Sequence, residues 1–167
     1  MTTIQNKILN HQQILHKIKR IAYQIYETFV DEDEIIIAGI ETDGLKFAKK
    51  IHAALKEISD IKITLCEVKV DKENLLNPIK TSLSEQEYKN KALVLIDDVL
   101  NSGGTLIYVV KHFLNVPLKK FKTAVLVDRN HKLYPIKADF KGISLSTSLQ
   151  EHVIVSFKSN NYSVHLS

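Results

Sequence analysis

The sequence predicts an α/β fold, built as one domain of 167 residues around a mainly parallel sheet with helices on its faces. Apolar runs as long as a buried strand alternate along the chain with segments of helical periodicity, and three of these runs end in acidic or glycine-containing turns. The length and the 44% apolar content suit a single domain with its own core. We find no internal repeat, so we treat residues 1–167 as one domain.

The first part of the chain predicts two helices and two strands. Apolar residues recur at three- and four-residue intervals over residues 12–30, which predicts an amphipathic helix. Residues 34–40, EIIIAGI, are a continuous apolar run typical of a strand buried on both faces. Helical spacing returns over residues 45–58, and residues 61–70 predict a second strand in which Cys66 is a packed thiol.

Residues 71–91, DKENLLNPIKTSLSEQEYKNK, are polar, contain a proline and have no regular period. Long segments of this kind in compact domains are usually functional or disordered, so we predict a mobile loop. Its position just before the acidic strand suits a lid, and an ordinary surface excursion explains the composition equally well.

The stretch with the most chemistry follows this loop. Residues 93–96 predict a buried strand that leads into two adjacent acids, Asp97 and Asp98. After two more apolar residues comes a turn rich in hydroxyls and glycine, made of Asn101, Ser102, Gly103, Gly104 and Thr105. Helical spacing over residues 106–114 then places the N-terminus of a helix under the turn.

The remainder predicts one more buried strand and several short ones. Residues 121–128 are an apolar run that ends on Asp128 and is followed by Arg129 and His131. Short strand-like runs within residues 138–167 predict antiparallel edge strands or a hood over one end of the sheet.

Three strand ends therefore carry polar groups, at residues 41–44, 97–105 and 128–131. The carboxyl ends of parallel strands lie on one edge of a sheet, so we expect these groups to share a cleft. Carboxylates hold hydroxyls or Mg²⁺, hydroxyls donate to anions, and amides at a helix start favour phosphate. Together they predict a site for a phosphorylated sugar, the alternative being acids that only cap a helix.

Bulk properties exclude several other classes of protein. The single cysteine excludes an internal disulfide framework and favours a reducing compartment. No apolar stretch approaches the roughly 20 residues of a membrane helix. The N-terminal MTTIQNKILNHQQ lacks the layout of a secretory signal, so we expect a cytoplasmic protein without membrane contact. The net charge of +4 is compatible with phosphate ligands or RNA and requires neither.

The segment VLIDDVLNSGGT resembles the signature of type I phosphoribosyltransferases, in which two acids precede a Thr-Gly-x-Thr turn. A second segment, AVLVDRNHKLYPIKADFKG, is similar to the corresponding stretch of the PyrR family of pyrimidine operon attenuators and uracil phosphoribosyltransferases. The similarity covers nearly the whole chain and is weakest over residues 71–91. It implies the type I phosphoribosyltransferase fold, three layers with a mainly parallel sheet, flanking helices and a small hood of short strands.

The resemblance also implies a role for each matching position. Asp97 and Asp98 would hold the ribose hydroxyls of phosphoribosyl pyrophosphate (PRPP), directly or through Mg²⁺. Residues 102–105 would cradle the 5′-phosphate, and residues 41–44 would meet the diphosphate. The base or its nucleotide would lie near Asp128, Arg129 and His131, although surface ion pairs or RNA phosphates are the alternative partners of the latter two.

Two departures from the family concern the charges at the diphosphate and the phosphate. The family typically has Lys-Thr-Arg-Gly where this chain has Glu41, Thr42, Asp43 and Gly44, so two cations are replaced by two anions. In the phosphate turn, Ser102 replaces the usual threonine, and Gly104 stands where arginine or lysine is common.

Two further departures concern the base and the lid. Asn101 occupies the position of an aspartate general base in purine-type relatives and cannot do that work. The predicted loop has Lys72 in place of a Tyr-Arg-Asp-Asp-like segment, and Lys72 or Lys80 would supply only a diffuse positive charge.

Two functional hypotheses follow. The first is a Mg²⁺-dependent phosphoribosyltransferase that transfers ribose 5-phosphate from PRPP to a nitrogenous base, a pyrimidine such as uracil. The second is a catalytically weak or inactive regulator on the same fold that senses a nucleotide and binds RNA, supported by the anions at Glu41 and Asp43. The family resemblance implies a homodimer or a larger homo-oligomer in either case.

Overall fold

The structure is a computed structural model and describes residues 6–167. The first five residues of the N-terminal stretch in which we find no secretory signal lie outside this range. In chain order the elements are β1 (Asn6–Leu9), α1 (His11–Thr28), β2 (Glu34–Ile40), α2 (Asp43–Ile58), β3 (Lys62–Lys69), β4 (Lys80–Thr81), α3 (Glu85–Tyr88), β5 (Ala92–Leu100), α4 (Gly104–Phe113), β6 (Lys120–Asp128), β7 (Phe140–Ser144), β8 (Val153–Lys158) and β9 (Asn161–Leu166).

The main sheet has the strand order β4-β3-β2-β5-β6-β7. The strands from β3 to β7 run parallel, and the two-residue β4 pairs antiparallel with β3 at one edge. Strands β2, β5 and β6 are neighbours and run parallel, so their carboxyl ends lie at the same end of the sheet. This arrangement confirms the predicted α/β class with a mainly parallel sheet.

Strand β2 shows why these runs are continuous in the sequence. Ile35 and Ile37 belong to the core cluster that includes α1 and α2, whereas Ile36 and Ala38 belong to the cluster that includes α4. Successive side chains of a strand point to opposite faces, so a sheet covered on both sides requires apolar residues at every position.

Helix α1 begins one residue earlier than its apolar spacing predicts because of a capping box. The Asn10 side chain accepts from the Gln13 amide, and the Gln13 side chain accepts from the Asn10 amide, each at 2.9 Å. These bonds satisfy backbone donors at the helix start that have no intrahelical partner.

A smaller sheet of β1, β9 and β8 agrees with the predicted hood of short antiparallel strands. The prediction that residues 138–167 contribute only antiparallel or hood strands was wrong for β7, which runs parallel to β6 in the main sheet. Strand direction depends on the path of the connecting chain, which a five-residue pattern does not reveal. Strand β1, which pairs with β9, was not predicted.

The predicted loop of residues 71–91 contains local structure in its second half. Strand β4 and helix α3 lie there, and Tyr88 is 1% exposed against Phe113 of α4. These elements escape a periodicity argument because each is shorter than five residues. None of the helices that the structure describes in residues 6–167 combines the length and the apolar character needed to cross a bilayer.

Candidate active site

A cleft of about 210 Å³ opens at the carboxyl end of β5. Its lining includes most of the stretch singled out in the sequence, and β6 and β8 each contribute one apolar side chain. The polar and glycine residues of the lining are Lys72, Asp97, Asp98, Asn101, Ser102, Gly103 and Thr105. The cleft therefore combines carboxylates, hydroxyls and the start of a helix, and all of residues 97–105 except Gly104 line it.

The two acids belong to β5 itself, because the strand continues to Leu100 rather than ending before them. Asp97 is 4% exposed, and its Oδ1 accepts a hydrogen bond of 2.9 Å from the amide of Asp98. Burial, and then repulsion by the Asp98 carboxylate, raise the pKa of Asp97 well above its ordinary value, while Lys72 acts in the opposite direction. Asp98 is only half-buried, so the two neighbouring carboxylates have different environments.

The turn after β5 is shaped by Gly103, whose φ of +86° favours glycine. The Ser102 hydroxyl accepts from the Gly104 amide at 3.2 Å and therefore keeps its own proton for donation to an anion. The first amides of α4 have no acceptor within the helix and point towards its N-terminal end. These donors suit a phosphate group bound at the turn.

The Ser102 carbonyl oxygen ties the turn to a second loop. It accepts from the amides of Leu133 (2.8 Å) and Tyr134 (3.2 Å). These bonds hold the loop after β6 against the start of α4.

The turn of residues 41–44 follows β2 and reaches the same edge of the sheet. Gly44, the second residue of α2, packs so closely on Asp97 that a Cβ at Gly44 would lie 2.6 Å from Oδ1. Glu41 lies 3.9 Å from Lys69, and Asp43 lies 3.4 Å from Lys46. Lysines outside the turn therefore partly balance its two anions, and the peptide bond between Glu41 and Thr42 is cis.

Lys72 is the one lysine or arginine among the cleft-lining residues of the described chain. The loop that carries it is organised by Asp71, which accepts from the amides of Glu73 and Asn74 and from the side chain of Asn77. Leu75 of this loop packs on the turn at Gly104. The two residues are so close that a Cβ at position 104 would lie 3.1 Å from Leu75 Cδ1. Sequence reasoning treated Lys72 and Lys80 alike, and the structure places only Lys72 in the cleft lining.

The third strand end carries Asp128, Arg129 and His131. Neither these residues nor residues 41–44 belong to the cleft lining that residues 6–167 form, so the three strand ends do not share the cleft as we expected. Asp128 is 2% exposed, accepts from the Asn130 amide and lies 3.7 Å from the Lys141 ammonium. His131 donates from Nε2 to the Thr147 carbonyl oxygen at 2.5 Å.

Arg129 is 8% exposed and donates to Asn101, Thr147, Ser148 and Glu151. The family resemblance implied that Asp128, Arg129 and His131 lie near the base or its nucleotide, and this stays a prediction. In the structure, the three side chains contact other residues of the protein. The partners of Arg129 come from distant parts of the chain, so they could not be predicted from the sequence around Arg129.

Residues 5–160 match the family described as "Phosphoribosyl transferase domain". The chain belongs to this family. A curated relative named "Bifunctional protein PyrR" from Streptococcus agalactiae serotype Ia is 30% identical over 154 residues, which cover 90% of this chain and 89% of the relative. A protein of the same name from Streptococcus mutans serotype c is 33% identical over 143 residues, covering 83% and 80%.

Solved structures of phosphoribosyltransferases share the fold. The hypoxanthine phosphoribosyltransferase of Trypanosoma cruzi has a TM-score of 0.78 with 14% identity and covers 95% of each chain. A hypoxanthine-guanine phosphoribosyltransferase from Bacillus anthracis has a TM-score of 0.73 with 20% identity and covers 87% of this chain and 85% of its own. The chain is therefore a PyrR-like type I phosphoribosyltransferase, a glycosyltransferase by class, as its motifs predicted.

Proposed function

We propose that this phosphoribosyltransferase transfers ribose 5-phosphate from PRPP to a nitrogenous base with the help of Mg²⁺, and that the base is a pyrimidine such as uracil. The observation that carries the proposal is the single cleft in which two carboxylates, Asp97 and Asp98, lie beside the turn from Ser102 to Thr105. A sugar phosphate needs acceptors for its hydroxyls and donors for its phosphate, and these two groups supply both.

The sugar and the phosphate divide the cleft between them. The half-buried Asp98 accepts hydrogen bonds from the ribose hydroxyls, and the buried Asp97 supports it from below with Oδ1 held by the Asp98 amide. The hydroxyls of Ser102 and Thr105 and the amides at the start of α4 receive the 5′-phosphate. Holding the sugar at both ends aligns C1 with the incoming base, which is the main contribution that a protein makes to such a displacement.

The donor set at the acids suits Mg²⁺, which prefers oxygen ligands and binds through one or two carboxylates together with substrate phosphates. No group of three or more His, Cys, Asp or Glu side chains that would form an all-protein cage occurs among the described residues. Asp97 and Asp98 would hold the ion together with the substrate. When bound, Mg²⁺ would neutralise the diphosphate and polarise its oxygens.

Lys72 is the protein cation available to the departing diphosphate. The glycine at position 104 leaves room for Leu75 over the turn, and this contact holds the loop with Lys72 beside the cleft. The loss of a basic residue from the turn is thus offset by a cation from the loop. We further propose that the loop of residues 71–91 acts as a lid, because its first part, which Asp71 organises through bonds to Glu73 and Asn77, carries Lys72 at the cleft.

The choice of a pyrimidine rests on the resemblance of residues 124–142 to the PyrR family, whose name the curated relatives also carry. A regulatory role that includes RNA binding, and assembly into a homodimer or larger oligomer, are proposed from the same relatedness. The specific observation that favours a regulator without catalysis is the acidic turn, where Glu41 and Asp43 would repel an unbridged diphosphate.

One assay separates these functions. Pyrophosphate release from PRPP is measured with and without Mg²⁺ on a panel of uracil, purine bases and orotate, alongside nucleotide binding by calorimetry. We expect turnover with uracil that requires Mg²⁺. Nucleotide binding without turnover on any base would overturn the enzymatic proposal and favour the regulator.

A matched pair of variants tests the site. Asp98→Asn removes one carboxylate from the cleft. The control Asp60→Asn removes one exposed acid that precedes β3, at the amino-terminal end of the parallel strands and away from the cleft. Asp98→Asn should weaken PRPP binding by about tenfold or more, since a hydrogen bond to a charged group contributes roughly 1.5–3 kcal/mol. Equal PRPP affinity in the two variants would refute the ribose assignment.

A further inference from the structure

Arg129 lies inside the protein with its donors committed to other residues. Its Nε donates to Thr147 Oγ1 at 3.1 Å, and its Nη2 donates to the carbonyl oxygens of Ser148 (3.3 Å) and Glu151 (2.5 Å). Its Nη1 donates to Oδ1 of Asn101 at 3.0 Å. The guanidinium therefore joins the segment after β7 to the cleft residue at the end of β5.

The contact with Arg129 determines which way the Asn101 amide faces. A guanidinium has five donors and no acceptor, so only the oxygen of the Asn101 amide can face it favourably. The amide nitrogen Nδ2 must then point away from Arg129. Asn101 is exposed and lines the cleft, and within residues 6–167 its Nδ2 has no hydrogen-bond acceptor.

Arg129 is itself held in place, which prevents the pair from rearranging. The segment that accepts from it is closed by a bond of 2.6 Å from the Ser148 amide to the Glu151 carboxylate. His131 also donates to the Thr147 carbonyl oxygen, so the segment is tied down from two sides. A reversed Asn101 amide would set N–H against N–H and leave a guanidinium donor without an acceptor.

We propose that Arg129 orients Asn101 so that Nδ2 donates to the base, and that the site therefore takes bases with a hydrogen-bond acceptor beside the nitrogen that receives the ribose. This inference rests on the proposed function, which assigns Asp98 to the sugar and the turn to the phosphate. Asn101 lies between them along the chain and is the remaining uncharged polar side chain of the lining outside the phosphate turn. Arg129 is a positioning residue, and Asn101 is the group that touches the base.

The test compares two ligands that share ribose 5-phosphate and differ in the ring. Uridine 5′-monophosphate offers a carbonyl oxygen next to the glycosidic nitrogen, whereas the 5′-phosphate of a phenyl C-riboside offers a ring without any acceptor. Calorimetry gives the ratio of their affinities for each variant. Effects on the sugar and phosphate contacts are common to both ligands and cancel in this ratio.

Asn101→Asp keeps the shape of the side chain and its contact with Arg129, and it replaces the donor by a carboxylate. We expect the affinity ratio to fall about fivefold to tenfold relative to the unmodified protein, because the variant cannot make the one hydrogen bond that Nδ2 donates to the base. An unchanged ratio would overturn the assignment of Asn101, whatever happens to the affinities themselves.

A second pair of variants tests the orientation by Arg129. Arg129→Lys retains a group that can only donate, so the preference for uridine 5′-monophosphate should persist. Arg129→Gln offers both a donor and an acceptor, so the Asn101 amide can face either way and the preference should fall. A merely structural role of Arg129 would weaken both ligands equally and leave the ratio unchanged, which would overturn the positioning role.

Failure of this inference is distinguishable from failure of the proposed function. Pyrophosphate release by the unmodified protein tests the function and does not depend on which ring is preferred. If turnover occurs while the two nucleotides bind equally well, the inference is overturned and the function stands. If the preference exists without turnover, the inference stands for a nucleotide-binding protein.

Discussion

Replacement of Arg129 by methionine should strongly destabilise the free protein. The substitution keeps an unbranched apolar side chain and removes four hydrogen bonds, to Asn101, Thr147, Ser148 and Glu151. A bond from a charged donor contributes about 1.5–3 kcal/mol, but these acceptors are partly exposed and regain water when the guanidinium is lost. We therefore expect a loss of roughly 2–4 kcal/mol rather than the full sum. For a domain of this size that corresponds to a fall in Tm of roughly 5–15 °C.

The matched control is Arg20→Met, which changes the other arginine of the chain. Arg20 also donates to two backbone carbonyl oxygens, those of Lys141 (3.1 Å) and Gly142 (2.7 Å), but it is exposed. Because Arg20 is exposed and only its contact with Gly142 is partly buried, we expect a loss of about 1 kcal/mol. Urea unfolding followed by circular dichroism gives both free energies. A cost for Arg129→Met no larger than that for Arg20→Met would refute the claim that Arg129 holds the segment after β7.

Three further outcomes are expected, two for residues that line the cleft and one for the acidic turn after β2. Because burial raises the pKa of Asp97 above 3.8, its stabilising contribution is complete below that pH and is lost as pH rises through the folded-state pKa. In urea unfolding, the free energy of unfolding of Asp97→Asn should therefore increase relative to that of the unmodified protein as the pH rises from 4 to 8. A difference between the two proteins that stays constant over this range would contradict the prediction. Lys72→Met should raise the KM for PRPP about fivefold and do so less at high salt, whereas Lys89→Met, an exposed control, should not. Glu41→Lys with Asp43→Arg should lower that KM about tenfold if repulsion limits binding. A higher KM would instead indicate that these carboxylates assist through a metal ion.

The central strands could be predicted from the sequence because they are buried on both faces and are therefore apolar at nearly every position. Strand β2 is covered by helices on both faces, and a strand in that position must be apolar throughout. Strand β7 carries only five residues, and its Gly142 lies so close to Leu126 that a Cβ would approach the Leu126 carbonyl oxygen to 2.5 Å. The five-residue sequence of β7 indicates a strand, but it does not indicate which strand β7 pairs with or that the pairing is parallel.

The site divides in the same way. Asp97, Asp98 and Ser102 are neighbours in the chain, so one strand and one turn bring them together without help from distant segments. Arg129 and Lys72 occupy their positions only because separate segments fold back onto the end of β5. The family resemblance implied only that Arg129 lies near the base or its nucleotide, and the structure adds that it is a buried arginine with four protein acceptors.

The sequence by itself determined the family and the mainly parallel sheet, and it placed Asp97, Asp98 and the turn from Ser102 to Thr105 next to one another, because these depend on local order along one strand, turn and helix. Only the tertiary structure decided that Lys72 lines the cleft, that Asp97 is the buried member of the acid pair, and that Arg129 faces Asn101. Burial, pKa and amide orientation are set by atoms from distant parts of the chain, and no local pattern encodes them.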